Sequence, residues 1–286
     1  MNPMIKSLIK RFLYFIAPRR TTEWMSARAR AHSHGVAKQW GCGEIAELTF
    51  ARLGDRVLEG PFAGLRLSEA TRLEHVTPYL LGTYESELES AWRTILTGSY
   101  DGIFDIGAKF GYYAVGLARK FPAAVVTAFD TDPWARDAVR EMSKANGVDN
   151  VHVRGYCDTA SFVAASAKSP SEAPFIISDC EGYEAELFAG SALHYLRTAV
   201  MIIETHDDLV AGVTQELSGR LAPTHALFTI HDNEGRRTST QPLEFLTASQ
   251  KELAVSEVRP RQSWLICFPK SGKNAGLAEH YQATRA

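Results

Sequence analysis

The sequence predicts an α/β protein with a mostly parallel, seven-stranded, Rossmann-like sheet. A terminal antiparallel hairpin closes it, and an N-terminal extension of basic amphipathic helices and short strands precedes it. Three observations carry this. Strand-like and helical runs alternate from Gly102 onward, as βαβ units require. A glycine-punctuated turn follows the first apolar run, in Phe104-Asp105-Ile106-Gly107-Ala108-Lys109-Phe110-Gly111. The last two apolar runs, 225–231 and 263–268, have only a polar, glycine-containing segment between them, which suits a hairpin.

In chain order, Ile5, Leu8, Ile9, Phe12 and Ile16 fall on one face of a first helix, with basic residues beside them. Pro18 is expected to end it, and Thr21 or Thr22 to cap a second helix running toward Gln39. Residues 48–53, 56–58 and 65–67 read as short strands joined by Gly54-Asp55 and Gly60-Pro61. A helix from Tyr84 or Glu85 to Leu96 turns Leu88, Trp92, Ile95 and Leu96 inward. Strands are then expected at 103–106, 124–129, 151–154, 175–178 and 200–204. Helices are expected at 112–120, 133–146, 159–167, 184–196 and 209–221. The extension is assigned to residues 1–81 and the main domain to 82–286.

The chain has 286 residues, 45% hydrophobic, enough for a substantial core. A net charge of -2 gives no overall push toward nucleic acid. The first forty residues differ: Lys6, Lys10, Arg11, Arg19, Arg20, Arg28, Arg30 and Lys38 stand against Glu23 alone. Charges interrupt the first apolar segment, so it is neither a signal peptide nor a membrane span. It fits a helix lying on an anionic membrane surface, or one packed on the domain or a second subunit. Cys42, Cys157, Cys180 and Cys267 are scattered without finger spacing and read as reduced thiols of a cytoplasmic protein.

The turn at 105–111 indicates a ligand. Gly107 and Gly111 lack a Cβ and let a ligand approach the backbone, while the next helix points its free N–H groups at the same place. The spacing is Gly-x-x-x-Gly, not the dinucleotide fingerprint Gly-x-Gly-x-x-Gly, and Asp105 would repel a pyrophosphate. An acid there suits an ammonium, a sulfonium and sugar hydroxyls, which describes S-adenosylmethionine. A nicotinamide oxidoreductase fails on the same spacing.

Four stretches, FDIGAKFGYYAVGLA, AFDTDPWA, IISDCEGYEAELFAG and MIIETH, resemble class I S-adenosylmethionine-dependent methyltransferases. The third, with WLICFPK near the end, is similar to the FkbM-type family, and the resemblance runs from about Gly82 to Phe268. It implies O-methylation of a glycan, lipid-linked sugar or small natural product. The rivals are a non-catalytic cofactor-binding module and an N-methyltransferase acting on protein or RNA. The Asn/Asp-Pro-Pro-aromatic motif of many amino-directed enzymes is absent at Asp179-Cys180-Glu181-Gly182.

Asp130, or less directly Asp132, is the candidate for the ribose hydroxyls, with Thr131 beside it; Asp132 before Pro133 also suits an N-cap. The resemblance implies Asp158 at the adenine amino group, beside Cys157, although a helix cap is an equal reading. Glu85 would approach the methionine end, or be a solvated helix residue. With Asp105, Gly107, Ala108, Gly111 and Asp179 these complete the expected cofactor set.

Asp179, Glu181, Glu204, His206 and Asp207 form the acidic edge where strands four and five end. His206 is the candidate base, because imidazole titrates near neutrality, and Asp179 is to orient it or hold the acceptor. No metal is expected. Asp179, Glu204 and His206 nevertheless have ligand chemistry, and the histidine argues against magnesium and for a softer ion or none. Glu184 and Glu186 are expected in the first turn of a helix, where acids favour the dipole.

Overall fold

The structure, a computed structural model, describes residues 9, 12–73, 76–168, 171–232, 238, 240–257 and 261–285. Seven strands, β1 (Gly102–Ile106), β2 (Val125–Phe129), β3 (Val151–Arg154), β4 (Pro174–Ser178), β5 (Val200–Thr205), β6 (His225–His231) and β7 (Ser263–Pro269), form one sheet. Its order is β3-β2-β1-β4-β5-β7-β6. Strands β3 to β5 run parallel in that order, and β7 runs antiparallel to both β5 and β6. This is the mostly parallel, Rossmann-like arrangement with a terminal antiparallel hairpin predicted above. The chain winds outward from β1 to β3, then returns to the other side of β1 with β4. That reversal makes a crevice at the carboxyl ends of β1 and β4, where open α/β sheets bind ligands.

Burial explains the strands. Every residue of β1, β4 and β5 is buried, as a sheet covered by helices on both faces demands. Alternation sorts them between two core layers. Ile103, Phe175 and Ile177 join Trp92, Val115 and Ile266 on one face, while Phe104, Ile106 and Ile176 join Phe162, Phe188 and Leu217 on the other. Each such side chain contributes roughly 1.5–3 kcal/mol of transfer free energy. Phe50, Phe62, Leu65 and Leu80 of the N-terminal extension share the first layer. Phe62 lies edge-on to Trp92, Tyr112 and Tyr113, against Gly116, where a Cβ would fall 2.4 Å from its ring.

Several expected elements differ. Residues 48–53 are not a strand but the end of the helix Cys42–Leu53, which buries Ile45, Ala46, Thr49 and Phe50 as one stripe. The second helix starts at Pro18, not after a threonine cap. Residues 12–16 are helical, Ala17 breaks the run, and Pro18 takes a first-turn position where no N–H is missed. Thr21 and Thr22 bond back to Ala17 and Pro18 carbonyls instead of capping. The strands at 56–58 and 65–67 reduce to one antiparallel bridge, Arg56 with Arg66.

The helix expected to start near Glu85 begins as a 3-10 turn, Ser86–Leu88, then continues as Glu89–Ile95. That at 184–196 splits into Glu184–Leu187 and Ala192–Leu196. The one at 209–221 starts only at Val213, because the exposed Asp207 side chain accepts the amides of Gly212 and Thr214. Three further α-helices were not anticipated: Thr77–Leu81; Ala248–Val255, opened by a Thr247–Gln250 capping box; and Leu277–Arg285, whose Tyr281 packs on Phe228 and Phe268. All four cysteines are buried and free. Of the first helix's apolar face, Ile5 and Leu8 lie outside the described residues.

Candidate functional site

A cleft opens at the carboxyl ends of β1, β4 and β5. The turn after β1 forms its floor. Gly107 and Gly111 have φ of 91° and 89°, and Lys109 between them is left-handed at 47°. Phe129 O, at the end of β2, accepts both the Gly107 and the Ala108 amide, at 2.9 and 3.0 Å. A Cβ on Gly107 would lie 1.8 Å from the Asp179 carbonyl oxygen, so β1 and β4 meet here as closely as a glycine allows. Gly111 precedes the helix Tyr112–Lys120 with no side-chain cap.

Among the sequence candidates, Glu85, Asp105, Gly107, Ala108, Asp179 and Glu204 line this cleft. Asp105 is 3% exposed, and its Oδ2 has no hydrogen-bond partner. Burial pushes its carboxyl up to about 8; the Ala114 amide opposes this, and the charges of Asp130, Asp179 and Glu85 reinforce it. Glu85 is not a solvated helix residue. It is buried, left-handed at φ 48°, accepts a hydrogen bond from Tyr113 Oη, and through its amide donates to Glu257 Oε1 at 3.1 Å.

Asp130 stands behind the turn. Its Oδ2 accepts the Lys109 amide and its Oδ1 the Asp132 amide, both at 2.8 Å, which ties the β1 turn to the end of β2. Burial raises its carboxyl to about 6 against those two amides. Each carboxylate oxygen keeps lone-pair capacity for another donor. Thr131 is half-buried, and its carbonyl accepts Arg136 Nη1 at 2.8 Å. Asp132 is the N-cap of Pro133–Asn146, accepting the Trp134 amide. Asp158 accepts the Ser161 amide at 2.7 Å and so caps its own helix. Gly111, Asp130, Thr131, Asp158 and His206 do not line the cleft.

His206 is 8% exposed and held by a residue expected to serve only a helix terminus. Its Nδ1 lies 2.7 Å from Oε1 of Glu184, a fully buried carboxylate that also accepts the amides of Cys180 and Gly182. Burial would raise the Glu184 carboxyl, but the charge and hydrogen bond of His206 outweigh it and hold the group low. Conversely, burial disfavours the imidazolium, but Glu184 and Glu204 overcome that and raise His206 well above its ordinary range. Its Nε2 faces Asp179 Oδ1 and Glu204 Oε1, each at 3.4 Å. Burial, then the Asp179 charge, raise the Glu204 carboxyl far above the carboxylate range. Glu181 takes a left-handed turn at φ 57°, and its carbonyl accepts the Tyr14 hydroxyl at 2.9 Å.

Glu184 was legible only as the second acid in Glu-Gly-Tyr-Glu. Trp264, which pairs with Glu204 across β5 and β7 and lines the cleft, gave no separate signal.

No family model and no curated protein matches this chain. Solved structures do. A putative O-methyltransferase from Klebsiella pneumoniae is similar over 67% of this chain and 82% of its own, at 16% identity and a TM-score of 0.43. An O-methyltransferase from Bacillus cereus, solved in complex with SAH, is similar over 93% of this chain and 100% of its own, at 12% identity and a TM-score of 0.42. The O-methyltransferase TomG from Streptomyces achromogenes, involved in tomaymycin synthesis, covers 71% and 92%, at 13% identity and a TM-score of 0.43.

Proposed function

We propose that this chain is an S-adenosylmethionine-dependent methyltransferase of the FkbM type, acting on a hydroxyl oxygen of a glycan, lipid-linked sugar or small natural product. The observation that carries the cofactor is the acidic lining of the cleft. Its lining holds four carboxylates, Glu85, Asp105, Asp179 and Glu204, with Lys109 the one lysine or arginine among them. A pyrophosphate is repelled by such a site. An ammonium and a sulfonium fit it, and the buried Asp105 Oδ2 offers an acceptor that has no partner within the protein. The acceptor class rests on the resemblance of the DCEGYE and MIIETH stretches.

In this reading Asp105 and Glu85 hold the methionine end, Asp130 the ribose hydroxyls and Asp158 the adenine amino group. The backbone of Gly107, Ala108 and Gly111 allows the close approach, beside Thr131. When bound, the cofactor would supply an electrophilic methyl on a positively charged sulfur, to be exchanged for the acceptor's O–H bond with S-adenosylhomocysteine and a proton as the other products. Little else is required than alignment and removal of one proton. Asp179, on the cleft side, positions the acceptor hydroxyl. The proton is taken at His206 Nε2 when the ring is neutral with its Nδ1–H on Glu184, a form that the raised basicity of His206 confines to pH above the ordinary imidazole range.

The first helix belongs to the same proposal. Phe12, Phe15 and Ile16 are 60%, 84% and 55% exposed, with Arg19 and Arg20 following, and this face is assigned to an anionic lipid surface. No helix among the described residues is long and apolar enough to cross a membrane. Release of S-adenosylhomocysteine across a panel of hydroxylated acceptors tests the activity. His206→Ala is expected to turn over about a hundred- to ten-thousandfold more slowly, with unchanged cofactor affinity. Unchanged turnover in His206→Ala removes that residue from the mechanism.

A further inference from the structure

We propose that Tyr14 couples the lipid-facing first helix to the turn that holds His206, so that seating this helix on an anionic membrane surface orders that turn. The consequence for turnover rests on the methyl-transfer reading. The coupling itself does not.

The inner end of the link is a single peptide unit. Tyr14 Oη donates to the Glu181 carbonyl at 2.9 Å, and its ring packs on Tyr183 with centroids 5.3 Å apart. The N–H of that same peptide unit, on Gly182, donates to Glu184 Oε1 at 3.1 Å. The same oxygen lies 2.7 Å from His206 Nδ1. A trans peptide is planar, with its C=O and N–H pointing in opposite directions, so a hydroxyl that fixes one end aims the other. The turn needs such a hold. Glu181 at φ 57° and Gly182 at φ 96° are both left-handed, and a non-glycine residue persists there only where its surroundings determine it. Burial raises the Tyr14 hydroxyl far above its ordinary range, so it stays a donor.

The outer end suits a charged surface. Of residues 12–17, Tyr14 is the one that is buried, while Phe12, Phe15 and Ile16 stand exposed. A segment with so few buried contacts is among the first to open locally. Arg19 and Arg20 follow it, and further along the exposed Trp24 has the Arg28 guanidinium 5.5 Å from its ring centre. Glu23, the one acid of the first forty residues, is already paired with Arg19 at 2.9 Å. Apolar side chains with cations beside them complement an anionic headgroup layer, which supplies the burial that Phe12, Phe15 and Ile16 lack. A surface that binds the ordered helix stabilises it by mass action. Tyr14 points inward from the same short helix. Ordering the helix therefore fixes the hydroxyl and, through the 181–182 peptide, the carboxylate that orients His206.

The test uses the full chain and vesicles of equal parts phosphatidylglycerol and phosphatidylcholine, with hydrogen exchange of segment 179–184 read by mass spectrometry. In wild type the vesicles should slow that exchange about two- to tenfold, the weight of one hydrogen bond. Tyr14→Phe keeps the ring and removes only the hydroxyl, so it should float with the vesicles and show no slowing. Phe15→Asp, at an exposed position, should lose both. Circular dichroism verifies folding, and if Tyr14→Phe does not fold, wild type and Phe15→Asp still decide the coupling. Flotation of wild type with unchanged exchange overturns the coupling, and equal slowing in Tyr14→Phe overturns Tyr14 as the link. No flotation of wild type, an equal effect of phosphatidylcholine alone, or slowing that follows protein concentration without lipid overturns the anionic surface as the occupant. On an acceptor that is turned over, the phosphatidylglycerol vesicles should raise kcat about two- to tenfold at unchanged KM for S-adenosylmethionine, and not in Tyr14→Phe. A tyrosine that serves only packing would not produce this split, and its absence overturns the role in turnover. Titration with S-adenosylhomocysteine separates the two claims. Lipid-dependent exchange without nucleoside binding refutes the methyl-transfer reading alone, and nucleoside binding with exchange unaffected by lipid refutes the coupling alone.

Discussion

Gly107→Ala tests the meeting of β1 and β4 on which the cleft depends. The new Cβ would sit 1.8 Å from the Asp179 carbonyl oxygen, a backbone atom that cannot rotate away. The two segments must part by roughly an ångström and a half to regain ordinary van der Waals contact. That separation strains the Asp179 N–Ile106 O bond of 2.8 Å and the two amide bonds to Phe129 O. Each contributes about 0.5–1.5 kcal/mol net. The left-handed backbone at φ 91° adds about 1–2 kcal/mol for a residue with a Cβ. Together these suggest a loss of up to about 2.5–6.5 kcal/mol if all three bonds are lost, located where Asp105 and Asp179 must stay in register. Gly111→Ala is the control. Its φ is 89°, but its Cβ would meet Val139 no closer than 3.3 Å, so it bears mainly the backbone cost of about 1–2 kcal/mol. Thermal melts and calorimetric titration with S-adenosylhomocysteine should both rank Gly107→Ala well below Gly111→Ala. Equal melting temperatures and equal affinities in the two variants would refute the reasoning.

Asp105 makes the chain pH-sensitive. Its folded carboxyl titrates near 8 and its unfolded one near 3.9, so the folded state binds the extra proton. Its contribution to stability is present below about pH 4 and lost as pH rises through about 8. Melting temperature of the ligand-free protein should fall over that range, less so in Asp105→Asn; an identical slope in the variant contradicts the assignment. S-adenosylhomocysteine should bind with proton release and tighten by up to about tenfold per pH unit below pH 8, measured in buffers of different ionisation enthalpy. Removal of residues 1–20 should abolish flotation with anionic vesicles and leave nucleoside affinity unchanged. If light scattering shows altered oligomeric state with no flotation change, the face meets a second subunit, and no change in either assay leaves no docking role for it.

The turn 104–111 was legible because its signals are local: a buried strand, an acid, two glycines and a helix within a dozen residues. Strands β1, β2, β4 and β5 were legible because apolar runs buried on both faces leave little else to choose, and β3 because Val151 and Val153 alternate with the exposed His152 and Arg154. The helix Cys42–Leu53 was misread at its end because Leu48-Thr49-Phe50-Ala51-Arg52-Leu53 fits period 2 nearly as well as 3.6 over six residues. Ala248–Val255 escaped because it buries little, only Ala254 within its span, and its clearest mark is the capping box. Glu184 shows the limit of local reading. Its neighbours place it at a helix start, but its partner is His206, twenty-two residues away on the far side of β5. Glu85 failed similarly: only the fold reveals that Tyr113 and the cleft enclose it.

The central claim is that the acidic cleft at the β1–β4 switch point binds S-adenosylmethionine, and calorimetric titration with S-adenosylhomocysteine tests it most directly. The account predicts one site per chain, saturable, with affinity at least about tenfold weaker in Asp130→Ala, since a hydrogen bond to a charged group contributes about 1.5–3 kcal/mol. Absence of binding at millimolar nucleoside, or equal affinity in wild type and Asp130→Ala, would contradict it.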